Sequence, residues 1–135
     1  MSELDALAVV LEGTNAAVYA YGIVAARVNA SSESQALAAM AVHRAQREYL
    51  RERIIALKGT PPAPFAAYDT PIAVTTAELA RRLAALVENR LAGQWAALAA
   101  ASGGLERRAS AVTAEECAVR AVTWSGEAPV WPGSQ

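Results

Sequence analysis

Near the start of the chain, apolar residues recur in steps of three and four. Leu4, Leu7, Leu11, Val18, Tyr21, Ala25 and Val28 form the seam of a helix that packs in a bundle. The pattern predicts a first helix over about 2–29, with Asn15 on the seam side. Glu12, Ala16, Tyr19 and Ile23 form a second stripe beside that seam, so the apolar face is wide. A second helix is expected over about 33–58, with Ser32 and Gln35 as a capping box and Gly59 as its stop. Its stripe runs through Ala36, Met40, Leu50, Ile54 and Leu57, and the same stepping passes through His43 and Arg47. A third helix over about 76–101 opens on a Thr75/Glu78 capping box. Leu79, Leu83, Leu86, Val87, Gln94, Ala97 and Leu98 share its face with Arg90, while Glu88, Leu91 and Trp95 lie on the flank. A fourth helix over about 105–124 follows Gly103-Gly104. It is expected to turn Leu105, Ala109, Val112, Glu116, Arg120 and Thr123 inward, with a possible break where Thr113 and Glu116 read as another capping box. An irregular tail occupies 126–135, with Trp131 packing back on the bundle.

Between the second and third helices lies a segment, 59–75, with Pro61, Pro62, Pro64 and Pro71, which forbid a continuous helix. Extended at ~3.1–3.3 Å per residue, it reaches ~50 Å, whereas a helix of ~24 residues is ~36 Å long. The segment is therefore long enough to cross the whole bundle and restart at its far end, with Phe65, Tyr68 and Ile72 stapling it down. A short connection on either side and one long crossover in the middle is the ferritin-like topology. One all-α domain, a ferritin-like four-helix bundle over 1–135, is the expected fold.

Composition narrows the functions this bundle could serve. The chain has 135 residues, 54% of them apolar, and a net charge of −1. Both signs of charge are interspersed, so no basic footprint for nucleic acid and no polybasic membrane patch is present. No uninterrupted apolar run approaches the ~18 residues of a membrane span, and the first residues are acidic where a signal peptide is basic. A cytoplasmic protein is expected. Cys117 is the only cysteine, so it can form no internal disulfide and reads as a buried thiol. No nucleophile-elbow pattern surrounds any serine, and no phosphate-loop Lys follows Gly103-Gly104.

The remaining chemistry is a set of polar residues that the helical phases turn inward or to the seam edge. They are Glu12 and Asn15, His43 and Arg47, Glu88 and Arg90, and Glu116 and Arg120. Carboxylates and a histidine facing one another in such a bundle suggest a carboxylate-bridged metal pair, built from two Glu and two Glu-x-x-His motifs. His43 is the only histidine, Met40 stands three residues before it, and Val119 stands three after Glu116. Both motifs are broken, and arginines are present instead. A guanidinium can take the place of a cation beside a carboxylate. The leading expectation is a buried salt-bridge cluster with no cofactor. The alternative is an iron or manganese site on Glu12, His43, Glu88 and Glu116, serving a metal-dependent oxidase or a metal-binding protein with a reduced ligand set.

Four stretches carry a family resemblance: Glu12–Gly22, Ala41–Arg47, the Gly59–Pro64 run with Ala67-Tyr68, and Ala118–Trp124. Together they resemble the alanine-rich actinobacterial ferritin-like domain of unknown function, across nearly the whole chain. The resemblance implies a ferritin-like bundle and no particular activity. Within the wider ferritin-like class it aligns Glu12 with the first helix's metal carboxylate, His43 with the second helix's histidine and, more loosely, Glu88 with the third helix's carboxylate. The expected role is a non-catalytic interaction or structural module. The expected partner is a second copy of the chain, docked on the face carrying Tyr19, Ile23, Leu91 and Trp95.

Overall fold

The computed structural model describes residues 1–126; the tail expected at 126–135, including Trp131, lies outside them beyond Gly126. Among the described residues there are four helices and no strand: α1 (Glu3–Arg27), α2 (Ala30–Ala56), α3 (Ala77–Ala101) and α4 (Gly104–Ser125). The architecture is the ferritin-like four-helix bundle expected from the sequence.

The helix ends differ in detail from the capping-box readings. The first helix starts where Ser2 accepts a hydrogen bond from the Asp5 N–H. Extended Val28 and Asn29 are enough to separate α1 from α2. Ser32 is therefore already inside α2, and Asn29 is the N-cap. The third helix is capped by Thr76, whose Oγ1 accepts from the Leu79 N–H, one residue later than the Thr75/Glu78 box implies. The fourth helix is unbroken at Thr113, because that hydroxyl donates back to the Ala109 carbonyl within the helix. At the end of α2 the chain reverses through Lys58 at φ +65°, with the Gly59 N–H closing onto the Ile54 carbonyl. Gly59 is needed there for room: a Cβ would lie 2.8 Å from Leu4 Cδ2 and 3.0 Å from Ile54 Cγ2.

The 57–76 crossover runs the length of the bundle, so α2 and α3 start at the same end, where Arg81 donates to Ser32 Oγ. Tyr68 holds the strap down by packing on Tyr19 with ring centroids 5.8 Å apart, and Ile72 and Val74 pack on the core. Phe65 does not staple; it stacks on Tyr68 and remains 70% exposed. Helix α1 packs on α2 and α3, and α3 packs on α4. The α2 and α4 backbones nowhere come within 8 Å (Cα–Cα), so long side chains close that seam.

The core divides into two apolar clusters. One holds Leu7, Val10, Leu11, Leu50, Ile54, Leu91, Trp95 and Leu98; the other holds Tyr21, Val24, Ala36, Leu83, Ala84 and Trp124. Each buried Leu or Ile stabilises the fold by about 1.5–3 kcal/mol. The Arg53 guanidinium ties three helices at one end by pairing with Glu3 and Glu106. Those groups are part-exposed, so that network contributes ~1 kcal/mol or less per pair.

Two helical phases depart from the sequence pattern. On α3 the buried positions are Ala80, Leu83, Ala84, Glu88, Leu91, Trp95 and Leu98, which turns Glu88 inward and Arg90 out. On α4 they are Ser110, Cys117, Ala121 and Trp124, which leaves Leu105, Val112 and Val119 outside. On α4 close helix approach is made with small residues, so the larger apolar side chains do not mark the inner face; on α3 the inner face carries Leu83, Leu91, Trp95 and Leu98, and the shift in phase turns Glu88 in with them. Leu91 and Trp95 are accordingly core residues, 1% and 2% exposed, and cannot belong to an intermolecular face. Tyr19 and Ile23 are half-buried and line an open groove with Met40 and Arg44.

By length and composition α1 does pass as a membrane-crossing helix, because few charges interrupt it. Half of its most apolar stretch is buried inside the bundle, as in the core helix of a globular protein.

A buried carboxylate cluster as candidate functional site

Between the two apolar clusters α3 presents Glu88, fully buried. Its placement follows from the Leu-Ala stepping of α3, which brings position 88 onto the seam between Ala84 and Leu91. Each of the other three helices sends a group to its Oε2 atom. From α1, the Tyr21 hydroxyl donates at 2.5 Å. From α2, His43 Nε2–H donates at 2.8 Å. From α4, the Arg120 Nε lies 3.2 Å away. A second layer fixes these partners. The Trp124 Nε1–H donates to the Tyr21 hydroxyl at 2.9 Å, and His43 Nδ1 faces Gln46 Oε1 at 2.9 Å. Arg120 also reaches Cys117 Sγ at 3.4 Å and lies across the seam that α2 and α4 leave open. Among the described residues Glu88 Oε1 has no hydrogen-bond partner.

Electrostatics keep this carboxylate charged. Burial alone pushes the Glu88 carboxyl up, but the hydrogen bond and charge of His43, the Arg120 guanidinium and the Tyr21 hydroxyl together outweigh it. Its pKa is held below the usual carboxylate range. Burial also dominates at Tyr21, and the Glu88 charge adds to it, so the phenol keeps its proton far beyond its ordinary range. Burial tends to strip the Arg120 proton, but the Glu88 charge overcomes it and raises that group. Burial pushes the Cys117 thiol up to about 12, with Glu88 acting in the same direction.

Of the residues singled out from the sequence, the structure brings together His43, Glu88 and Arg120. Asn15 is buried but stands apart, its Oδ1 without a partner among the described residues. Arg47 is half-exposed, with Glu48 of its own helix 3.6 Å away. Glu12, Arg90 and Glu116 are exposed. Glu12 lies outside because α1 has only two helix neighbours, and the seam through Leu11, Thr14 and Tyr21 serves both. Arg90 and Glu116 lie outside because of the phases of α3 and α4 described above. Tyr21, Gln46 and Trp124 join the site without having been expected there. The signal existed: a core Tyr or Trp carries a polar tip that needs a partner, and Arg120 and Trp124 are one helical turn apart.

A two-metal carboxylate centre of the kind found in this fold class needs four carboxylates and two histidines converging. The residues here do not fit it. Among the described residues Glu88 and His43 are the only inward carboxylate–histidine pair, and the guanidinium sits against the oxygen that would coordinate. Among the described residues no three His, Cys, Asp or Glu side chains are grouped to hold a metal.

Solved structures place the chain in a wider context. It is similar to the crystal structure of a conserved hypothetical protein, rv2844, from Mycobacterium tuberculosis. The two are 32% identical over 92% of this chain and 95% of that one, with a TM-score of 0.87. It is also similar in fold to a structure of ferritin like, diiron-carboxylate proteins from Bacillus anthracis str. Ames. There the identity is 16%, the coverage 92% of this chain and 90% of that one, and the TM-score 0.69. No curated protein matches the chain by sequence. The model of the Domain of unknown function (DUF4439) family matches residues 6–135, and the chain belongs to that family.

Proposed function

We propose that this protein is a non-catalytic, self-associating structural or interaction module. In this reading a protein-only ion cluster occupies the bundle centre, where carboxylate-bridged metal pairs are built in bundles of this class. The observation that carries the proposal is the arrangement around Glu88. One carboxylate oxygen takes a hydroxyl, an imidazole and a guanidinium from three different helices, so the charge of Arg120 stands where a bound cation would. The cluster then sets the register of four helices whose alanine-rich faces could slide past one another. Self-association, with a second copy as the partner, is supported by large apolar side chains that the fold leaves at the surface, among them Leu105 and Val119. A cytoplasmic setting is part of the same reading.

The test is metal content by elemental analysis after anaerobic loading with Fe(II) or Mn(II), on wild type and on His43→Ala. The expected result is well below one metal per chain in both. Stoichiometric metal in the wild type, lost in His43→Ala, would overturn the reading in favour of a metal-dependent oxidase or metal-binding protein with a reduced ligand set.

A further inference from the structure

Helix α4 is apolar on the wrong side. Its core face carries Ser110, Cys117, Ala121 and Trp124. At 100° per residue, Leu105, Val112 and Val119 fall on the opposite face, and they are 81%, 48% and 64% exposed. Single exposed apolar residues are ordinary. Three of them in strict steps of seven, two helical turns apart and turned away from the core, make an apolar row flanked by charge along one line of the helix. Beside it lie Arg108 and Glu115, both exposed. Neither has an ion pair or hydrogen bond to another side chain among the described residues.

We infer that this outer face of α4 is a self-association surface, on which a second copy of the chain docks antiparallel about a two-fold axis at Val112. The inference rests on the self-association proposed above and names the surface that would serve it. The argument is self-complementarity. In an antiparallel pair centred on Val112, residue positions that add up to about twice 112 lie at the same height. Leu105 then meets Val119 of the other copy, and Val112 meets itself. Arg108 and Glu115 lie on the same flank of the stripe, so each Arg108 faces the other copy's Glu115 within about one residue rise, ~1.5 Å along the axis. The two-fold forms this ion pair twice. A parallel pairing would instead set Arg108 against Arg108 and Glu115 against Glu115, which is repulsive. One helix face covers about half of the ~800 Å² per partner of a standard interface, which places the association in the weak, transient class, to be read at micromolar concentrations.

Sedimentation equilibrium on the full chain, from ~1 to ~200 μM around that range, reads the result. The expected outcome is a reversible monomer–dimer equilibrium. Val112→Glu should weaken it at least ~10-fold, because two carboxylates then meet at the axis. Arg108→Glu and Glu115→Arg should each weaken it, and the double exchange should restore it, which fixes the antiparallel register. All four positions are solvent-facing, so helical circular dichroism and melting temperature should hold; Val119→Glu serves as a second probe if Val112→Glu does not fold. A wild type that stays monomeric throughout would overturn both this surface and the self-association reading, while leaving the metal test unaffected. A dimer indifferent to Val112→Glu and Val119→Glu would overturn this surface alone.

Discussion

Glu88→Gln isolates the charge at the centre of the bundle while keeping the shape of the side chain. The carboxylate is fully buried and faces His43, Tyr21 and Arg120. Removing one member of a buried charge pair costs about 3–5 kcal/mol, because the partner's charge is left without compensation. Two features reduce that figure. The Gln carbonyl still accepts the Tyr21 hydrogen bond, worth about 1 kcal/mol, and Arg120 is 21% exposed, so water recovers part of its solvation. A loss of about 2–3 kcal/mol remains. With an unfolding entropy of ~2.1 cal/mol/K per residue, the chain has ~0.28 kcal/mol/K in all, so the melting temperature should fall by roughly 9 °C. Urea titration and thermal melting followed at 222 nm measure both quantities. The same charge makes a pH signature. The folded carboxyl is held below its ordinary value of 4.5, so its contribution is complete above that pH. It is lost as pH falls from there toward the folded value, and the unfolding midpoint of the wild type should drop in that window. Glu88→Gln has no such group and should lack this part of the acid dependence. A variant that melts within ~2 °C of the wild type at pH 7 would refute the view that the cluster holds the helices in register, since that shift is well under 1 kcal/mol.

Two further predictions concern other parts of the chain. Lys58 adopts φ +65° and is exposed, so Lys58→Gly should relieve left-handed strain and raise stability by about 0.5–1 kcal/mol in urea titration; an unchanged or lower midpoint would show that the turn is unstrained. Cys117 is fully buried with its thiol pushed up to about 12, so a disulfide reagent at pH 8 should label it no faster than the protein unfolds, and rapid labelling of native protein would place it at an accessible seam.

The sequence by itself determined the architecture. Four amphipathic stretches, the short breaks between them and a Pro-rich segment long enough to span a bundle leave few alternatives to a four-helix bundle with one long crossover, because helix period and proline sterics act locally. It also determined that a two-histidine metal centre could not be built, since one histidine is a count and needs no geometry. What only the tertiary structure decided is which way α3 and α4 face. Their inner surfaces mix Leu83, Leu91, Trp95, Leu98 and Trp124 with the small residues Ala80, Ala84, Ser110, Cys117 and Ala121, and small residues carry almost no phase information. The phase was settled by how closely the helices approach and by which polar tips found partners. Glu88 turned inward because Tyr21, His43 and Arg120 meet it there from three other helices, residues 67, 45 and 32 positions away in the chain. Arg90 and Glu116, equally plausible from the pattern, went to solvent because no such partners converge on them, and a charge without partners is too costly to bury.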